Sequence, residues 1–343
     1  MNSMERVMNT IKGLPVDRVP VFAVLGTYGA NLTGTDLRTL YRDAFAHVSA
    51  QKALQETFGL DLVIAPFDYS AIAEAFGSEI AWFEKQVPNL KRPAVSTPLE
   101  ILHRPLPRPY STGRLPMHLD AVKMLAESYR DQVPLFGIVP GPGSLPALAL
   151  GLEAWMETLL CAPSDARRIL DYTNEFWLEW SNALFESGIT ALVITEGMAT
   201  SEVLPRQLFC DLILPHLHAT FVQVKGPMVL HHNGGRFMHI LDLVPSLPGV
   251  LGVSVSSKDD LAESRKKIGP GMLLIGNVDS LSFPTATAED ILEKSLECLH
   301  SQGPGRHFIL SNSGAELSLQ TPPENIHAIR NASIQYARKG SIQ

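Results

Sequence analysis

The architecture of this chain is clearest in residues 228–235, which are Met228-Val229-Leu230-His231-His232-Asn233-Gly234-Gly235. An apolar, partly β-branched run gives way to two imidazoles, an amide and two glycines, a pattern typical of a buried strand followed by a turn. Side chains alternate along a strand, so we expect His231 and Asn233 on one face and His232 on the other. An isolated histidine is as often a hydrogen-bonded core residue as a functional one. The functional interpretation therefore needs companions elsewhere in the chain.

The same pattern of an apolar strand with a polar end recurs along the chain. Strands are predicted over residues 18–25, 60–65, 134–139, 191–195, 228–230, 251–255, 272–275 and 307–310. Helical spacing is found over residues 36–58, 118–130, 144–160, 164–187, 205–222, 259–267, 288–299 and 323–338, with a short helix from Phe237. Ser164 is the expected cap of the helix that it begins. Strands separated by helices indicate parallel βαβ units.

Eight such strands favour a (β/α)8 TIM barrel over an open doubly wound sheet. No glycine-rich dinucleotide loop follows the first strand, and the turn at residues 141–143 contains a proline that removes an amide donor. A helical extension precedes the first strand. Residues 70–114, after the second strand, are proline-rich and predict an irregular insertion. We expect residues 1–343 to form a single domain.

Composition excludes several classes of protein. The chain has 343 residues, of which 45% are hydrophobic and 18% charged, which predicts a large buried core. A net charge of −7 argues against a nucleic-acid partner. No apolar run approaches the ~20 residues of a membrane span, and residues 1–12 lack a signal core, so a cytoplasmic protein is expected. The three cysteines, which are far apart, are predicted to be buried small hydrophobic residues.

Polar side chains follow most of the predicted strands. They are Tyr28, Asp68, Glu196, His231, Asn233, Asn277, Asp279, Asn312 and Ser313. In a barrel these positions converge on one opening, where active sites collect. Asp279 and Asn312 suit turn or capping roles better, whereas a carboxylate ending an apolar strand at Glu196 indicates function. The aromatic residues Tyr28, Phe67 and Tyr69 lie near two of these ends and are candidates to line a pocket for a ring, although aromatic residues are as often core.

Four segments give the chain a family resemblance over nearly its whole length. They are residues 17–21 (Asp-Arg-Val-Pro-Val), Gly141-Pro142 with Leu150-Gly151, residues 276–279 (Gly-Asn-Val-Asp) and residues 321–326 (Thr-Pro-Pro-Glu-Asn-Ile). With these the chain resembles the uroporphyrinogen decarboxylase superfamily, and within it is most similar to the cobalamin-dependent methyltransferases. The decarboxylases carry an arginine-rich segment after the first strand. Residues 25–30 contain no arginine here, which disfavours tetrapyrrole decarboxylation.

The resemblance implies a zinc site, but the ligands differ. The methyltransferases hold zinc with a His-x-Cys pair after one strand and a cysteine after the last, and those places are occupied here by His231, Asn233 and Ser313. A harder zinc site built from Glu196 and His231, or His232 in its place, is the alternative. The spacing of Glu196, Asp211 and His232 also resembles a zinc motif of ether-demethylating members, although Asp211 is expected within a helix.

The function implied by the resemblance is corrinoid-dependent methyl transfer. The cobalamin is expected on a separate corrinoid protein, and the substrate is expected to be a small methylated compound of the aryl methyl ether or methylamine type. Glu196, His231 and His232 are the candidate catalytic residues, with a metal held by Glu196 and His231, or an acid there, stabilising the leaving group. The candidate substrate-binding residues are Tyr28, Asp68, Asn233, Asn277, Asn312 and Ser313.

Three alternatives remain open at this stage. Transfer could run in reverse, from a methylcorrinoid to a thiol or folate, although the missing thiolates make a thiol acceptor less favourable. The chain could be a decarboxylase-like lyase, or a non-catalytic barrel subunit that has lost its chemistry.

Overall fold

The computed structural model describes residues 1–302 and 306–340. Within these residues eight parallel strands form one curved sheet. The strands are β1 (Val21–Phe22), β2 (Val63–Ile64), β5 (Leu135–Pro140), β6 (Ala191–Thr195), β7 (Met228–His231), β8 (Val250–Ser254), β9 (Leu273–Asp279) and β10 (Phe308–Ser313). Their order in the sheet is β1-β10-β9-β8-β7-β6-β5-β2. Helices follow the strands along the chain, as parallel connections require. The predicted (β/α)8 TIM barrel is confirmed.

The helices surround this sheet. They are α1 (Ser3–Ile11), α2 (Gly29–Thr33), α3 (Leu37–Leu40), α4 (Ala44–Phe58), α5 (Tyr69–Ala75), α6 (Leu115–Tyr129), α7 (Pro146–Leu150), α8 (Leu152–Cys161), α9 (Pro163–Ser187), α10 (Arg206–Leu208), α11 (Leu214–Phe221), α12 (Leu261–Ile268), α13 (Ala288–Ser301) and α14 (Pro323–Arg338). Short 3₁₀ helices cover Pro98–His103, Gly197–Ala199, Leu241–Ser246 and Ser280–Ser282, and a π-helical turn covers Phe209–Ile213. The N-terminal extension is α1, as expected.

Asp61 closes the ring of strands at its amino end. Its backbone N–H donates to the carbonyl of Val21 at 2.9 Å, and its carboxylate accepts from the backbone N–H of Val21 at 2.8 Å. The same carboxylate forms ion pairs with Arg6 at 2.7 Å and with Arg18 at 2.6 Å. Because all three ionic groups are buried, each compensates the desolvation of the others. The network ties α1 and the segment before β1 to the segment before β2.

Two apolar layers make the core. One lies inside the barrel and includes Phe136, Ile138, Val193 and Val229, with Val7 of α1 covering the amino end. The larger layer lies between the strands and the surrounding helices. In β5, β6 and β9 alternate residues belong to the inner layer, which is the alternation expected of a barrel.

Several helices differ from their predicted bounds. The region of residues 36–58 contains two helices, α3 and α4, and Asp43 caps the second by accepting from the N–H of Ala46. Residues 144–160 are divided between α7 and α8 by Gly151, which has a φ of 85°. The predicted cap at Ser164 is wrong, because α9 begins at Pro163 with Ala162 before it and no side-chain cap. Proline suits this first helical position, since its missing N–H has no partner there.

The insertion after β2 is more ordered than its composition indicated. It contains α5, an antiparallel pair of short strands, β3 (Glu79–Ala81) and β4 (Asn89–Arg92), and the 3₁₀ helix at Pro98–His103.

The prediction that all three cysteines are buried is also wrong. Cys161 is exposed, and Cys210 and Cys298 are partly buried, because helical positions facing outward accept a thiol as readily as a core does.

Candidate active site

Glu196 follows β6 directly, and its side chain is enclosed by the turn that follows β5. Its Oε2 accepts from the backbone N–H of Gly143 at 2.8 Å, and its Oε1 lies 2.6 Å from the Ser144 hydroxyl. The side chain has no exposed surface. Two residues of the turn after the neighbouring strand β5 thus hold one buried carboxyl group at the carboxyl end of the barrel.

The two glycines of this turn are required by the close approach of the carboxyl group. A Cβ on Gly141 would lie 2.1 Å from Glu196 Oε2, and one on Gly143 would lie 3.0 Å from Oε1. A side chain at Gly141 would therefore displace the carboxyl group. The Gly-Pro-Gly turn, which lacks the amides of a dinucleotide loop, forms a fitted enclosure for Glu196.

Burial raises the pKa of the Glu196 carboxyl to about 7, although hydrogen bonds with Ser144, Gly143 and Met198 favour the ionised form. Removing a charged carboxylate from water is costly, so the neutral acid is favoured in this enclosure. A group with this pKa is present in both protonation states near neutral pH. It can therefore supply or accept a proton.

The register of the strands separates Glu196 from His231. Thr195 of β6 pairs with His231 of β7, which pairs with Ser254 of β8. His231 follows the inward-facing Val229 by two residues, so its ring faces the barrel interior, and Glu196 lies one residue beyond Thr195, on the opposite face. The backbone N–H of Glu196 donates to the carbonyl of His231 at 2.9 Å, whereas the hydrogen bonds of the two side chains are made, among the described residues, to different partners.

His231 uses both ring nitrogens. Nδ1 lies 2.6 Å from the Ser254 hydroxyl and Nε2 lies 3.1 Å from the carbonyl oxygen of Gly314. A carbonyl can only accept, so Nε2 carries the proton and Nδ1 accepts from Ser254. Burial lowers the pKa of His231 to about 4. The imidazole is therefore neutral near pH 7.

His232 is buried as well, on the other side of the strand. Its Nδ1 accepts from the backbone N–H of Gly234 at 2.9 Å, so Nε2 carries the proton. No described residue accepts from this Nε2. Burial keeps the pKa of His232 well below its usual value. Both histidines are consequently neutral, and Glu196 is the group among the three candidate catalytic residues with a pKa near 7.

Asn277, Asn312 and Ser313 make hydrogen bonds to the backbone around them. Asn277 donates to the carbonyls of Ser256 and Asp259 at 2.7 and 2.9 Å. Asn312 accepts from the N–H of Val24 at 2.8 Å, and Ser313 accepts from that of Ser257 at 2.7 Å. These contacts connect the loops at the carboxyl ends of neighbouring strands.

The remaining candidates lie at several places around the opening. Tyr28 is buried against Phe58 and donates to the carbonyl of Thr321 at 2.7 Å. Asp279 caps the 3₁₀ helix that follows it, which is the capping role favoured from sequence. Asp211 lies in the π-helical turn, exposed, and accepts from Gln207 at 3.0 Å.

Asp68 caps α5 and forms an ion pair with Arg114. Burial alone would raise the pKa of Asp68, but His118 and Arg114 bring it down to about 2. Asp68 also lines a cavity of about 210 Å³ together with Phe67 and Tyr69.

A larger cavity of about 640 Å³ opens beside Glu196. Its walls come from the ends of β5, β6 and β7 and from the loop after β8, and they include Ser144, Thr195, Thr200, Asn233 and Lys258. Tyr69 and Leu148 line both this cavity and the smaller one beside Asp68. Of the candidate residues named from sequence, Asn233 and the aromatic Tyr69 contribute to this wall, and Glu196 lies directly behind Ser144.

Ser144 and Gly143 are the contacts that sequence reasoning missed. They follow β5, whose end carries no ionisable residue, so the search for polar strand ends passed over them. A serine directly after a glycine-rich turn at the end of a central barrel strand was the available signal.

The side chains at the expected zinc positions do not fit a resident zinc ion. Both nitrogens of His231 are engaged, Asn233 is exposed with a φ of 51°, and the Ser313 hydroxyl is bonded to backbone. The two positions at which the resemblance implies thiolate ligands are occupied by Asn233 and Ser313. Among residues 1–302 and 306–340, no three His, Cys, Asp or Glu side chains are grouped to hold a metal. A metal shared by Glu196 and His231 stays a prediction, and no step is derived through it.

The fold and this enclosed carboxyl group define a barrel protein with a candidate active site at the carboxyl ends of its strands. The model of the family described as uroporphyrinogen decarboxylase (URO-D) matches residues 2–336. The chain belongs to this family, which confirms the resemblance identified from its motifs.

The relatives with curated names include methyltransferases and decarboxylases. Methylcobamide:CoM methyltransferase MtbA of Methanosarcina acetivorans is 27% identical over 97% of this chain and 97% of its own length. Methylcobamide:CoM methyltransferase MtaA of Methanosarcina barkeri is 25% identical over 96% and 97%. Uroporphyrinogen decarboxylase of Psychromonas ingrahamii is 24% identical over 97% and 98%.

A solved structure of a methyltransferase from Methanosarcina mazei superposes with a TM-score of 0.85. It is 23% identical to this chain and covers 98% of it and 99% of its own length. This likeness establishes the fold.

No helix in residues 1–302 and 306–340 combines the length and the apolar character needed to cross a membrane.

Proposed function

We propose that this protein is a corrinoid-dependent methyltransferase that demethylates a small methylated compound, with Glu196 as the source of the proton for the leaving group. The observation that carries the proposal is a carboxyl group without exposed surface, held by the N–H of Gly143 and the hydroxyl of Ser144 behind the wall of a 640 Å³ cavity. Burial raises the pKa of this group to about 7. The relatives named for methylcobamide supply the class of reaction. The corrinoid is a co-substrate, delivered by a separate corrinoid protein at the carboxyl end of the barrel.

The barrel residues have two tasks in this reaction. They hold the methyl group in line with the incoming nucleophile, which the corrinoid supplies, and they stabilise the departing heteroatom. A neutral carboxylic acid suits the second task because it gives up its proton as negative charge develops on the leaving atom. The enclosure then stabilises the resulting carboxylate through the N–H of Gly143 and the hydroxyl of Ser144.

An aryl methyl ether fits this cavity better than a methylated amine. An ether oxygen leaves as an anion that needs a proton, whereas a quaternary amine leaves neutral. Lys258 and Glu202 contribute one positive and one negative charge to the wall, so the preference rests on the leaving group and not on the charge of the wall. Apolar surface beside Tyr69 comes from Leu148, Leu152 and Val203 and suits an aromatic ring.

The reverse reaction, methyl transfer to a thiol, has less support in this chain. Two of the relatives are named for coenzyme M, which is a thiol. Here the positions implied for zinc present an imidazole with both nitrogens bonded, an amide and a hydroxyl. A substrate thiol would therefore lack the ion that activates it.

The test is a methyl-transfer assay with purified protein. Cob(I)alamin, prepared by chemical reduction, is mixed with a panel of methoxylated benzenes and, separately, with mono-, di-, tri- and tetramethylammonium salts. We expect the absorption change of methyl–cobalt formation with at least one methoxybenzene. Glu196→Gln should abolish it with unactivated ethers. Glu153→Gln, which makes the same substitution at an exposed position, is the control.

Three results would contradict the proposal. Reaction with ammonium salts alone would overturn the ether assignment. No methyl–cobalt with any donor, together with carbon dioxide release from a porphyrinogen, would indicate the lyase alternative. No reaction in either assay would indicate a non-catalytic barrel.

A further inference from the structure

A second, smaller compartment adjoins the 640 Å³ cavity. It has a volume of about 210 Å³ and lies beyond the carboxyl end of β2, the strand that pairs with β5. The two cavities share the wall residues Tyr69, Asn89 and Leu148, so they are neighbours. An apolar cavity of about 150 Å³ holds a benzene molecule, and the smaller compartment therefore has room for a substituent of an aromatic ring.

Tyr41 contributes a hydroxyl group to this compartment. The residue follows α3, and 6% of its surface is exposed. Its backbone N–H donates to the carbonyl of Leu37 at 3.1 Å, and its carbonyl accepts from Arg114 at 3.0 Å. The hydroxyl group itself makes no hydrogen bond with any residue in 1–302 or 306–340. Its oxygen keeps accessible surface, unlike the fully enclosed atoms that lack a partner, such as His47 Nε2.

The accessible surface of this hydroxyl group faces the compartment, because the rest of Tyr41 is buried. Burial keeps the pKa of Tyr41 well above its usual value, so the hydroxyl group holds its proton and can donate it in a hydrogen bond. Buried polar groups in folded proteins almost always have a hydrogen-bond partner. The partner of Tyr41 must therefore come from the contents of the compartment.

The other hydroxyl and carboxyl groups of the compartment already have partners. Asp68 accepts from the Ser70 hydroxyl at 2.5 Å and forms an ion pair with Arg114. The Tyr69 hydroxyl bonds to the Thr195 hydroxyl. Among the described residues, the group that remains to recognise a ligand is the hydroxyl that follows α3.

The rest of the wall selects an uncharged ligand group. Much of it is apolar and comes from Phe67, Ala73, Val87, Pro88, Leu90 and Leu148. An ionised group would lose its water here without finding a free charge, since Arg114 is already paired with Asp68 and Glu74. A neutral oxygen that accepts the proton of Tyr41 suits both the wall and the hydroxyl group.

We propose that Tyr41 is a specificity-determining residue, whose hydroxyl group binds a neutral oxygen substituent on the ring of the substrate. This inference rests on the proposed function and narrows its substrate class to aryl methyl ethers that carry a second, uncharged oxygen group. The reacting methoxy group lies in the 640 Å³ cavity beside Ser144, and the second substituent passes Tyr69 and Leu148 into the smaller compartment. Tyr41 takes no part in making or breaking bonds.

The first experiment measures binding and needs no corrinoid. Isothermal titration calorimetry compares the three methoxyphenols with the three methoxytoluenes, in which a methyl group replaces the hydroxyl group. We expect at least one methoxyphenol to bind the wild-type protein about tenfold more tightly than its matching methoxytoluene, which is typical of one hydrogen bond between neutral groups. Tyr41→Phe should bind the two compounds equally. Methoxybenzoates, which are charged, should bind more weakly than the methoxyphenols.

Tyr41→Phe is a mild substitution because the hydroxyl that it removes has no partner among the described residues. The free energy of unfolding in urea should therefore not fall. Tyr336→Phe is the matched control. Tyr336 lies in α14, packs edge-on against His300 and lines neither cavity, so this variant should keep the wild-type preference.

A second variant tests the compartment by filling it. Ala73 lies in α5 and lines the compartment, so Ala73→Leu reduces the space for a ring substituent. We expect this variant to weaken the binding of methoxyphenols and methoxytoluenes alike. Unsubstituted methoxybenzene, which does not reach the compartment, should bind as it does to the wild type.

The outcomes separate this inference from the proposed function. The same preference in wild type and Tyr41→Phe overturns the role of Tyr41, and tight methoxyphenol binding by Ala73→Leu overturns the compartment. Demethylation of ethers without either dependence leaves the proposed function in place and removes this inference. Methoxyphenol binding that depends on Tyr41, without methyl–cobalt formation from any ether, supports the binding site and overturns the proposed function.

Discussion

Replacing Glu196 by glutamine should change how the stability of the fold depends on pH. Burial raises the pKa of this carboxyl from 4.5 to about 7, so the folded protein binds its proton more tightly than the unfolded chain does. The protonated carboxyl group therefore raises the free energy of unfolding below pH 4.5. This contribution is lost as pH rises to about 7. At about 1.4 kcal/mol per pKa unit, the loss over this interval is roughly 3 kcal/mol. Glutamine resembles the neutral acid and does not titrate.

Urea unfolding from pH 5 to pH 8 is the measurement, with each midpoint and slope converted to a free energy. We expect Glu196→Gln to lack the decline that the wild-type protein shows across this range. Subtracting the two curves cancels the contributions of other titrating groups. The exposed Glu153, also replaced by glutamine, should keep the wild-type slope. Parallel curves for wild type and Glu196→Gln would show that Glu196 is already ionised in the folded state, and the acid role would lose its basis.

Three further predictions concern the enclosure and the ends of the barrel. Gly141→Ala places a Cβ 2.1 Å from Glu196 Oε2 and should abolish ether demethylation, whereas Gly271→Ala, with no atom within 4 Å, should behave as wild type in the same assay. Asp61→Asn leaves two buried arginines without their charge partner and should cost about 3–5 kcal/mol in urea unfolding; a loss below about 1 kcal/mol would contradict the closing role. His231→Ala orphans a hydroxyl and a carbonyl and should cost about 1–3 kcal/mol. Elemental analysis of the wild-type protein should find no stoichiometric zinc. Zinc bound by the wild type but absent from His231→Ala would restore the metal hypothesis.

The barrel could be predicted from sequence because its pattern is local. Apolar segments such as residues 191–195 and 228–231 end in polar residues, and helical periodicity separates them. Each βαβ unit buries its strand on both faces, so the strand is visible in the sequence as a short, nearly continuous apolar run. The terminal helix, predicted over residues 323–338, has those bounds in the structure.

The partners of each polar side chain were harder to predict. Glu196 and His231 were expected together because both end a strand. In the structure Thr195 pairs with His231, so the carboxyl group and the imidazole extend from opposite faces. A shift of one residue in register exchanges the two faces, and register is set by packing across the whole sheet. The same packing brings Ser144 to Glu196 over 52 residues of chain.

The sequence by itself determined the family, the order of strands and helices, and the presence of ionisable groups at strand ends. These follow from local periodicity and from motifs, which short segments carry independently of their neighbours. Only the tertiary structure decided that Glu196 is enclosed by a glycine turn with a pKa of about 7 while both histidines are neutral. Burial and hydrogen-bond partners set these protonation states, and both arise when distant segments come into contact.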